Sequence, residues 1–334
     1  MKFSKFENFK KQPDFEIKYK ESLGFKVYEN VFFIPGISAL YDENGDIIID
    51  SCLIRGEKWV VKNAEPVIDL NNFDYDCMDS AIYIGSFGYP HYGHFLTEQI
   101  SRLWYLEDDN NIPVLFHNNA PKRKGVLFSN IFEIPQYQID FLNALPKINL
   151  NRFLFTDKAK FIKKIIVPEP SFIIRSVMHV KHAELCRRVA LHYMWKESYD
   201  KKNKIYLSRS LLNSKRRKVF GEKEVEIYLK DNGFIIFHPQ NYNLEEQINL
   251  LNSSKVIIGT IGSSLHSLLF LLNTTKVFTL SNENINANFL MFDDLLALDN
   301  TYLNCLTEYV KSNENVTVDL SLACQLLNDR LILN

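Results

Sequence analysis

The sequence predicts an α/β protein of two domains that begins with a β-rich hairpin region. The length of 334 residues is more than one compact core usually holds. Short apolar runs separated by turn residues fill the first part of the chain, to about residue 75, and apolar strands alternate with helical segments after about residue 81. We expect an N-terminal domain over residues 1–200 and a C-terminal domain over residues 201–334, divided by a charged turn.

Antiparallel hairpins are expected at the start of the first domain. The apolar runs lie at Val27–Pro35, Glu43–Asp50 and Lys58–Asn63. Asn44-Gly45 stands between flanking apolar residues, and this dipeptide favours the tight turn of a hairpin because both residues accept positive φ angles.

A strand–helix–strand unit is expected next. The apolar strand Ala81–Phe87 ends in a small-residue turn, a helix runs from about Tyr92 to Leu106, and a second strand covers Ile112–His117. The apolar run Phe161–Pro168 is expected to complete this domain, and the pattern of Val180–Ser198 is helical.

The C-terminal domain has the clearest alternation. Its strands are mostly continuous apolar runs, which is typical of a parallel sheet with helices on both faces, and the domain is therefore predicted to be Rossmann-like. Asn243 and Glu246 form a capping box at a helix start, and apolar residues from Leu320 to Leu327 repeat at helical spacing. The predicted order is strand Ile205–Arg209, helix Glu222–Asn232, strand Phe234–His238, a helix opened by Asn243, strand Lys255–Gly259, a helix through Leu272, and strand Lys276–Leu280.

Composition narrows the classes of function. Apolar residues make up 46% and charged residues 24% of the chain, and the net charge of -1 argues against nucleic-acid binding driven by bulk positive potential. No apolar run approaches the roughly 20 residues of a membrane span, and the charged start does not resemble a signal peptide. A cytoplasmic location is expected, and peripheral association with the inner face of the cytoplasmic membrane, through basic stretches such as Lys201–Lys204, stays open. The five scattered cysteines favour neither disulfides nor a zinc site.

A polar stripe on the helix after the first strand is a candidate for acid/base chemistry. At 100° per residue, four polar side chains face one way and an apolar set faces the other. Such a stripe is often only the solvated face of a helix, and Glu98 with Arg102 could be an ordinary i,i+4 pair. Its position at the end of a strand favours function, because a histidine and a carboxylate there can share a proton. A single H-x2-H, His91 with His94, is weak support for a metal site. The polar set is His94, Glu98, Arg102 and Tyr105, and the apolar set is Leu96, Ile100, Leu103 and Trp104.

A candidate phosphate site lies where strands of the second domain end. Arg209 stands at a strand terminus and the basic run Lys215–Lys218 follows. Arginine offers a fixed fork of donors that fits phosphate oxygens, although a solvated basic loop is the alternative. The turn Gly259–Ser267 leads small residues into a helix N-terminus, whose free N–H groups attract anions, at the same edge of the sheet. Asp293-Asp294 is interpreted as a helix surface and not as a metal-binding pair.

Five motifs in this order resemble glycosyltransferase family 61. They are an HF-x-x-acid helix after a strand, a strand ending in Ser-Arg, a basic stretch before a helix, a Gly-Phe strand followed by L-x-x-Q-I, and G-x-x-G-S-S-L-x-x-x-x-F. The resemblance covers about Ile82 to Leu280. It implies a GT-B arrangement of two Rossmann-like domains, metal-independent inverting transfer and a nucleotide-sugar donor held mainly by the C-terminal domain; the bacterial members are capsular polysaccharide biosynthesis proteins.

The resemblance also implies site residues. Where the family often has Asn-Glu this chain has Gly221-Glu222, and where it often has a histidine before the last glycine this chain has Ile261, for which His266 is expected to compensate. His91 and Arg102 are assigned to the acceptor or the cleft. The catalytic pair is His94 and Glu98, and the donor-binding residues are Arg209, Arg216, Arg217, Gln247, Gly262, Ser263, Ser264 and His266.

The predicted activity is transfer of a sugar from a nucleotide-sugar donor, expected to be UDP-linked, to a hydroxyl of a glycan or lipid-linked glycan in bacterial capsule or lipopolysaccharide synthesis. No cofactor, metal or nucleic acid is expected, and either Glu98 or His94 removes the acceptor proton. The alternative is a non-catalytic nucleotide- or glycan-binding module of a polysaccharide assembly complex. A phosphoryl transferase is disfavoured because the chain lacks a GxxxxGK[ST] loop.

Overall fold

Two units divide the chain in this computed structural model. We call Lys18–Leu185 the N-terminal unit, and Met1–Ile17 together with Cys186–Asn334 the C-terminal unit. The division therefore lies before the boundary expected near residue 200, and the first residues of the chain belong with the C-terminal half. The structure describes residues 4–11, 13, 15–60, 64–107, 111–119, 134–195, 200–212, 218–307 and 315–331.

The secondary structure of the described residues is mixed α/β. The strands are β1 (Ser4–Glu7), β2 (Lys18–Tyr19), β3 (Phe25–Phe33), β4 (Leu40–Tyr41), β5 (Ile47–Ile48), β6 (Leu53–Arg55), β7 (Lys58–Val60), β8 (Tyr75–Phe87), β9 (Val114–Asn118), β10 (Phe153–Leu154), β11 (Ala159–Pro168), β12 (Phe172–Ile173), β13 (Val177–Met178), β14 (Asn203–Leu207), β15 (Val219–Phe220), β16 (Ile235–Phe237), β17 (Ser254–Thr260), β18 (Lys276–Ser281), β19 (Asp299–Asn304) and β20 (Val316–Thr317). The α-helices are α1 (Tyr92–His94), α2 (Gln136–Asn143), α3 (Val180–Tyr193), α4 (Glu222–Asp231), α5 (Leu244–Asn252), α6 (Ala287–Leu296) and α7 (Leu320–Leu331).

One mixed sheet organises the N-terminal unit. Its order is β10-β9-β8-β11-β3-β4-β5, parallel from β10 to β11 and antiparallel from β11 to β5. The hairpin predicted at Asn44-Gly45 is confirmed, since Gly45 has a φ of 82° and its N–H donates to the carbonyl of Asp42. The first two predicted hairpin runs and the strand–helix–strand unit thus share one sheet, whereas the third run belongs to a separate two-stranded sheet. In the third predicted hairpin run, β7 pairs with β6, while residues 61–63 lie outside the described residues.

The segment predicted as one helix from Tyr92 to Leu106 is instead an irregular chain of turns. The short α1 continues as a π-helical turn over Phe95–Gln99, and a 3-10 helix follows over Leu103–Glu107. The hydroxyls of Thr97 and Ser101 donate to the carbonyls of Gly93 and Glu98, and such side-chain bonds compete with regular helical bonding. The prediction of a continuous α-helix is therefore wrong, although the predicted strand–helix–strand order is confirmed.

An all-parallel sheet forms the centre of the C-terminal unit. Its order is β1-β19-β18-β17-β14-β16, so the four predicted strands are confirmed and β19 and β1 add two that the sequence did not indicate. The capping box of Asn243 and Glu246 opens α5 as predicted. The segment Ser263–Phe270 is a 3-10 helix rather than an α-helix. The parallel sheet is confirmed, while the GT-B fold class stays a prediction.

Two further sequence expectations concern cysteines and membrane spans. All five cysteines are free thiols. Within the described ranges, no helix has both the length and the apolar character that crossing a bilayer demands.

Strand β1 is tied to the C-terminal unit by a buried carboxylate. Asp293 on α6 is 2% exposed, and it accepts hydrogen bonds from Ser4 at 2.8 Å, Asn300 at 3.0 Å and Tyr302 at 2.7 Å. The interpretation of Asp293-Asp294 as a helix surface is therefore wrong for Asp293, because donors from β1 and β19 enclose it; Asp294 is partly buried. Burial raises the pKa of Asp293 to about 7, against the opposing effect of its three donors.

We expect Asp293→Asn to change how stability depends on pH. A raised pKa means that the folded protein binds more protons than the unfolded chain, so wild-type stability falls as pH rises from about 4 to about 7. Asp293→Asn removes this loss, and its urea midpoint relative to wild type should be higher at about pH 7.5 than at about pH 5. Asp294→Asn is the matched control. If the urea midpoints of wild type and Asp293→Asn changed with pH in the same way, the raised pKa of Asp293 would be contradicted.

Candidate active site

A carboxylate, an imidazole and a guanidinium meet in the N-terminal unit. The Glu98 carboxylate lies 2.8 Å from His94 Nδ1 through one oxygen, and the same oxygen accepts from Arg55 Nη2 at 2.9 Å. The other oxygen accepts from Arg55 Nε at 2.5 Å. Arg55 comes from β6 and His94 from α1, while Glu98 lies in the π-helical turn. The sequence prediction that His94 and Glu98 come together is confirmed, and Arg55 completes the cluster.

The charges of this cluster keep Glu98 ionised. Its side chain is 8% exposed, and burial alone raises the pKa of such a carboxyl. The hydrogen bonds and charges of His94 and Arg55 outweigh that effect and lower the pKa of Glu98 below its ordinary value. The hydrogen bond to Glu98 in turn raises the pKa of Arg55. Glu98 is therefore a weak base with both oxygens already engaged.

The geometry gives His94 a defined orientation. Its contacts with Glu98 and Arg55, among the described residues, are made through Nδ1, and a carboxylate at 2.8 Å requires a proton on that nitrogen. The neutral ring then carries a lone pair on Nε2. Because the His94 side chain is 31% exposed and that of Glu98 is 8% exposed, the imidazole is the more accessible of the two groups.

Two further rings adjoin His94. His91 accepts a hydrogen bond from the His94 backbone at 3.3 Å, and their ring centroids are 4.4 Å apart. The Tyr89 ring lies 6.3 Å from His91 and 6.0 Å from His94. His91 thus adjoins His94. Among the described residues, no group of three or more His, Cys, Asp or Glu side chains is arranged to hold a metal ion.

Arg102 occupies a different environment from His94 and Glu98. It is 5% exposed, and its guanidinium donates to the backbone carbonyls of Pro168 and, at 2.8 Å, Asp50. Burial lowers the pKa of Arg102. The side chains of the predicted polar stripe therefore lie in two different environments. The assignment of Arg102 to the acceptor or the cleft stays a prediction, because its guanidinium donates to backbone carbonyls.

The strand-end arginine and the glycine turn of the C-terminal unit lie together, as predicted. Arg209 follows β14 and donates from Nη1 to the Ile261 carbonyl at 3.1 Å. A Cβ atom on Gly262 would stand 2.7 Å from that same Nη1, so only glycine lets the guanidinium lie this close to the backbone. The turn after β17 and the end of β14 thus form one polar surface at the edge of the parallel sheet.

Glu222 fixes the position of Arg209. Its carboxylate accepts from the Arg209 backbone N–H at 2.9 Å and from the Tyr206 hydroxyl at 3.1 Å. It is the first residue of α4 and is 2% exposed, and burial raises its pKa. Glu222 therefore connects the start of α4 to the end of β14.

The other predicted donor-binding residues divide into three cases. Gln247 donates to the carbonyls of Pro239 and Tyr242, each at 3.0 Å, and so holds the loop before α5. His266 Nδ1 lies 3.0 Å from the Ser263 carbonyl oxygen. The buried Ser264 hydroxyl has no hydrogen-bond partner among the described residues. Arg216 and Arg217 lie outside the described residues. Donor binding by all of these residues stays a prediction.

Sequence reasoning missed Arg55 and Glu222. Arg55 lies 43 positions before Glu98, in a hairpin whose pattern indicates only two short strands. Glu222 is one of several acidic residues at a helix start, where carboxylates are common for electrostatic reasons alone. The signals in the sequence are Arg55-Gly56 at a hairpin turn and Gly221-Glu222 where the family often has Asn-Glu. Neither dipeptide indicates which residue its charged side chain contacts.

His182 supports the irregular helix that carries His94 and Glu98. The amides that could reach the Leu96 carbonyl, those of Ile100 and Ser101, donate instead to Phe95 and Glu98. His182 Nε2 lies 2.9 Å from that carbonyl and supplies the missing donor. Its Nδ1 lies 3.0 Å from the Ser171 hydroxyl, and burial lowers the pKa of His182 to about 4. His182 is therefore neutral, with its proton on Nε2.

We expect His182→Phe to lower the free energy of unfolding by about 1–3 kcal/mol, because the buried Leu96 carbonyl loses its donor. His182→Gln retains an N–H donor and should be less damaging. Urea unfolding followed by tryptophan fluorescence measures both variants against wild type. Equal stabilities for His182→Phe and wild type would show that the Leu96 carbonyl does not depend on this bond.

Comparison with known proteins identifies the family. No curated protein matches the chain. The family described as Glycosyltransferase 61 matches residues 92–278, which is more than half of the 334 residues and includes His94, Glu98, Arg209 and Gly262. This range agrees with the segment in which the sequence motifs occur. The chain belongs to glycosyltransferase family 61 and is a transferase enzyme.

Proposed function

We propose that this enzyme is an inverting, metal-independent glycosyltransferase that uses a nucleotide-sugar donor, UDP-linked, and a glycan or lipid-linked glycan acceptor in bacterial capsule or lipopolysaccharide synthesis. Membership of family 61 supports glycosyl transfer from a nucleotide sugar. The observation that carries the mechanism is the contact of His94 Nδ1 with the ionised Glu98. A cytoplasmic site of action is part of the proposal and agrees with five free thiols.

His94 is the general base in this mechanism and Glu98 is its positioning residue. Glu98 has a lowered pKa, low exposure and both oxygens engaged by His94 and Arg55, all of which make it a poor acceptor for a substrate proton. His94 presents Nε2 with a lone pair while Glu98 holds Nδ1–H. We therefore propose His94, and not Glu98, as the residue that removes the acceptor proton.

The chemical step is a single displacement. The proton of the acceptor hydroxyl passes to His94 Nε2 while the hydroxyl oxygen attacks the anomeric carbon of the donor sugar. The bond between that carbon and the phosphate oxygen breaks, its electron pair leaves with the nucleoside diphosphate, and the anomeric configuration inverts. The Glu98 carboxylate stabilises the imidazolium that forms, and Arg55 keeps that carboxylate ionised and in place.

Negative charge on the departing diphosphate is met by the C-terminal unit. Arg209 is held at the end of β14 by Glu222 and Gly262, so its position does not have to be acquired when the donor binds. Arg216 and Arg217 are proposed to add positive charge to the same group. Fixed cationic side chains gain most where charge develops in the transition state, and they supply here what a divalent ion supplies elsewhere.

We expect His94→Gln to lower the rate of sugar transfer about 10²–10⁴-fold with donor affinity unchanged, because the base is lost and the donor site is not. His94→Gly should regain rate when imidazole is added. Glu98→Gln should slow transfer without rescue by imidazole. Nucleotide release from a panel of nucleotide sugars measures the rate, and thermal shift measures donor binding.

Other outcomes of this experiment have definite meanings. Transfer that survives His94→Gln but not Glu98→Gln would make Glu98 the base. Donor binding without turnover in the wild-type protein, over the whole panel and with glycan acceptors present, would favour the non-catalytic binding module.

We expect Gly262→Ala to weaken UDP binding about tenfold, because the new methyl group displaces the Arg209 guanidinium. Gly259→Ala, at the end of β17 three positions earlier, is the matched control. Its Cβ would stand 2.8 Å from Leu265 Cδ2 and 3.3 Å from Leu207 Cβ, so it should lower the melting temperature and leave affinity largely intact. Calorimetric titration with UDP measures affinity, which should be the same in EDTA. Wild-type affinity in Gly262→Ala, or loss of binding in EDTA, would contradict the proposed donor site.

A further inference from the structure

We propose that Tyr89 is a stacking platform for a sugar ring of the acceptor, so that the acceptor is a pyranoside with an apolar face and not a simple alcohol or a protein hydroxyl. This inference rests on the proposed function of His94. The residues that carry it lie in the N-terminal unit, beside the proposed base.

The backbone of Tyr89 is held by two buried side-chain amides. Gln99 accepts from the Tyr89 N–H at 3.2 Å and donates to the Tyr89 carbonyl at 2.9 Å, and Gln138 donates to the same carbonyl at 2.8 Å. Gln99 is 5% exposed and Gln138 is fully buried. Burying an amide is costly unless its hydrogen bonds are made. Both amides donate to the same carbonyl and so fix the backbone of one residue, while Gln138 Nε2 also donates to the Tyr137 hydroxyl at 3.3 Å.

The chain on either side of Tyr89 restricts it further. Gly88 has a φ of 87°, a conformation that favours glycine, and it turns the chain after β8. Pro90 follows, and a residue before proline is confined to extended conformations. Tyr89 as a whole residue is nevertheless 45% exposed, in contrast to the two buried glutamines that hold its backbone. A rigid backbone that presents an exposed aromatic ring is the arrangement expected of a preorganised binding surface.

The exposed ring is placed beside the base. Its plane is within 6° of parallel to that of His91, with centroids 6.3 Å apart, and the His94 centroid is 6.0 Å from that of Tyr89. His91 and His94 lie 4.4 Å apart. The three ring centroids thus form a triangle, and Tyr89 and His91 both lie beside the proposed base.

A pyranose ring matches this surface chemically. One face of many pyranoses carries mainly C–H groups and its rim carries hydroxyls, so it combines an apolar face with a polar edge. Carbon atoms of that face would contact the Tyr89 ring at about 3.5–4.0 Å. A hydroxyl on the rim of a stacked sugar would then reach toward His94, whose ring centroid is 6.0 Å from that of Tyr89. Stacking also orients the acceptor, and orientation is a large part of catalysis in a two-substrate reaction.

The test compares three variants in the full-length protein: Tyr89→Leu, Tyr89→Phe and, as a matched control, Tyr19→Leu. Tyr19 is 55% exposed on β2 of the same unit. Tyr89→Leu should raise the KM for a glycoside acceptor about tenfold and leave acceptor-independent nucleotide release unchanged. Tyr89→Phe retains the ring and should stay close to wild type, as should Tyr19→Leu. Saturation-transfer NMR with acceptor glycosides and no donor should show weaker binding to Tyr89→Leu alone.

Two results would overturn the platform. One is a wild-type acceptor KM in Tyr89→Leu. The other is an equal loss of acceptor-independent nucleotide release, which would make Tyr89 a structural support of the catalytic pair. Failure of the proposed function is seen separately, as absence of transfer in the wild-type protein. In that case the NMR comparison of wild type with Tyr89→Leu still decides whether the ring binds a sugar.

Discussion

The ion pair between Arg55 and Glu98 is the interaction on which the candidate active site depends. A carboxylate with so little exposure would hold a proton unless positive groups offset the cost of burial, and Arg55 and His94 together do so. An ionised Glu98 can accept a hydrogen bond from His94 Nδ1, and that bond determines which ring nitrogen carries the proton. One guanidinium from a short hairpin thus governs the protonation of a residue far away in sequence.

The irregular helix after β8 is stable because side chains replace the backbone bonds that it lacks. The Leu96 carbonyl, to which the amides of Ile100 and Ser101 do not donate, is bonded by His182. The hydroxyls of Thr97 and Ser101 add hydrogen bonds to the carbonyls of Gly93 and Glu98. The same segment supplies Gln99, which fixes Tyr89. Departures from helical geometry of this kind are frequent at functional sites, and in this protein they coincide with the residues proposed for acceptor binding and proton transfer.

In the C-terminal unit, too, contacts between side chains and backbone fix a charged group in place. Parallel strands β14 and β17 end side by side, so Arg209 and Gly262 become neighbours although 53 positions separate them. Glu222 then holds the strand end from α4. The positive charge of Arg209 is fixed in position because Gly262 leaves room for its guanidinium and the buried carboxylate of Glu222 holds its backbone.

The sequence by itself determined the parallel sheet of the C-terminal unit, the hairpin at Asn44-Gly45, the capping box of α5 and the pairing of His94 with Glu98. Each of these depends on interactions between residues close in the chain or on a periodic apolar pattern, which local physics specifies. Only the tertiary structure decided the rest. Arg55, Glu222 and His182 act through partners on other elements of the fold. β1 pairs with β19, almost 300 positions later, and Asp293 is enclosed by donors from these two strands. No local pattern encodes such partners, because a polar side chain is equally compatible with water until the fold removes the water and supplies a specific group in its place.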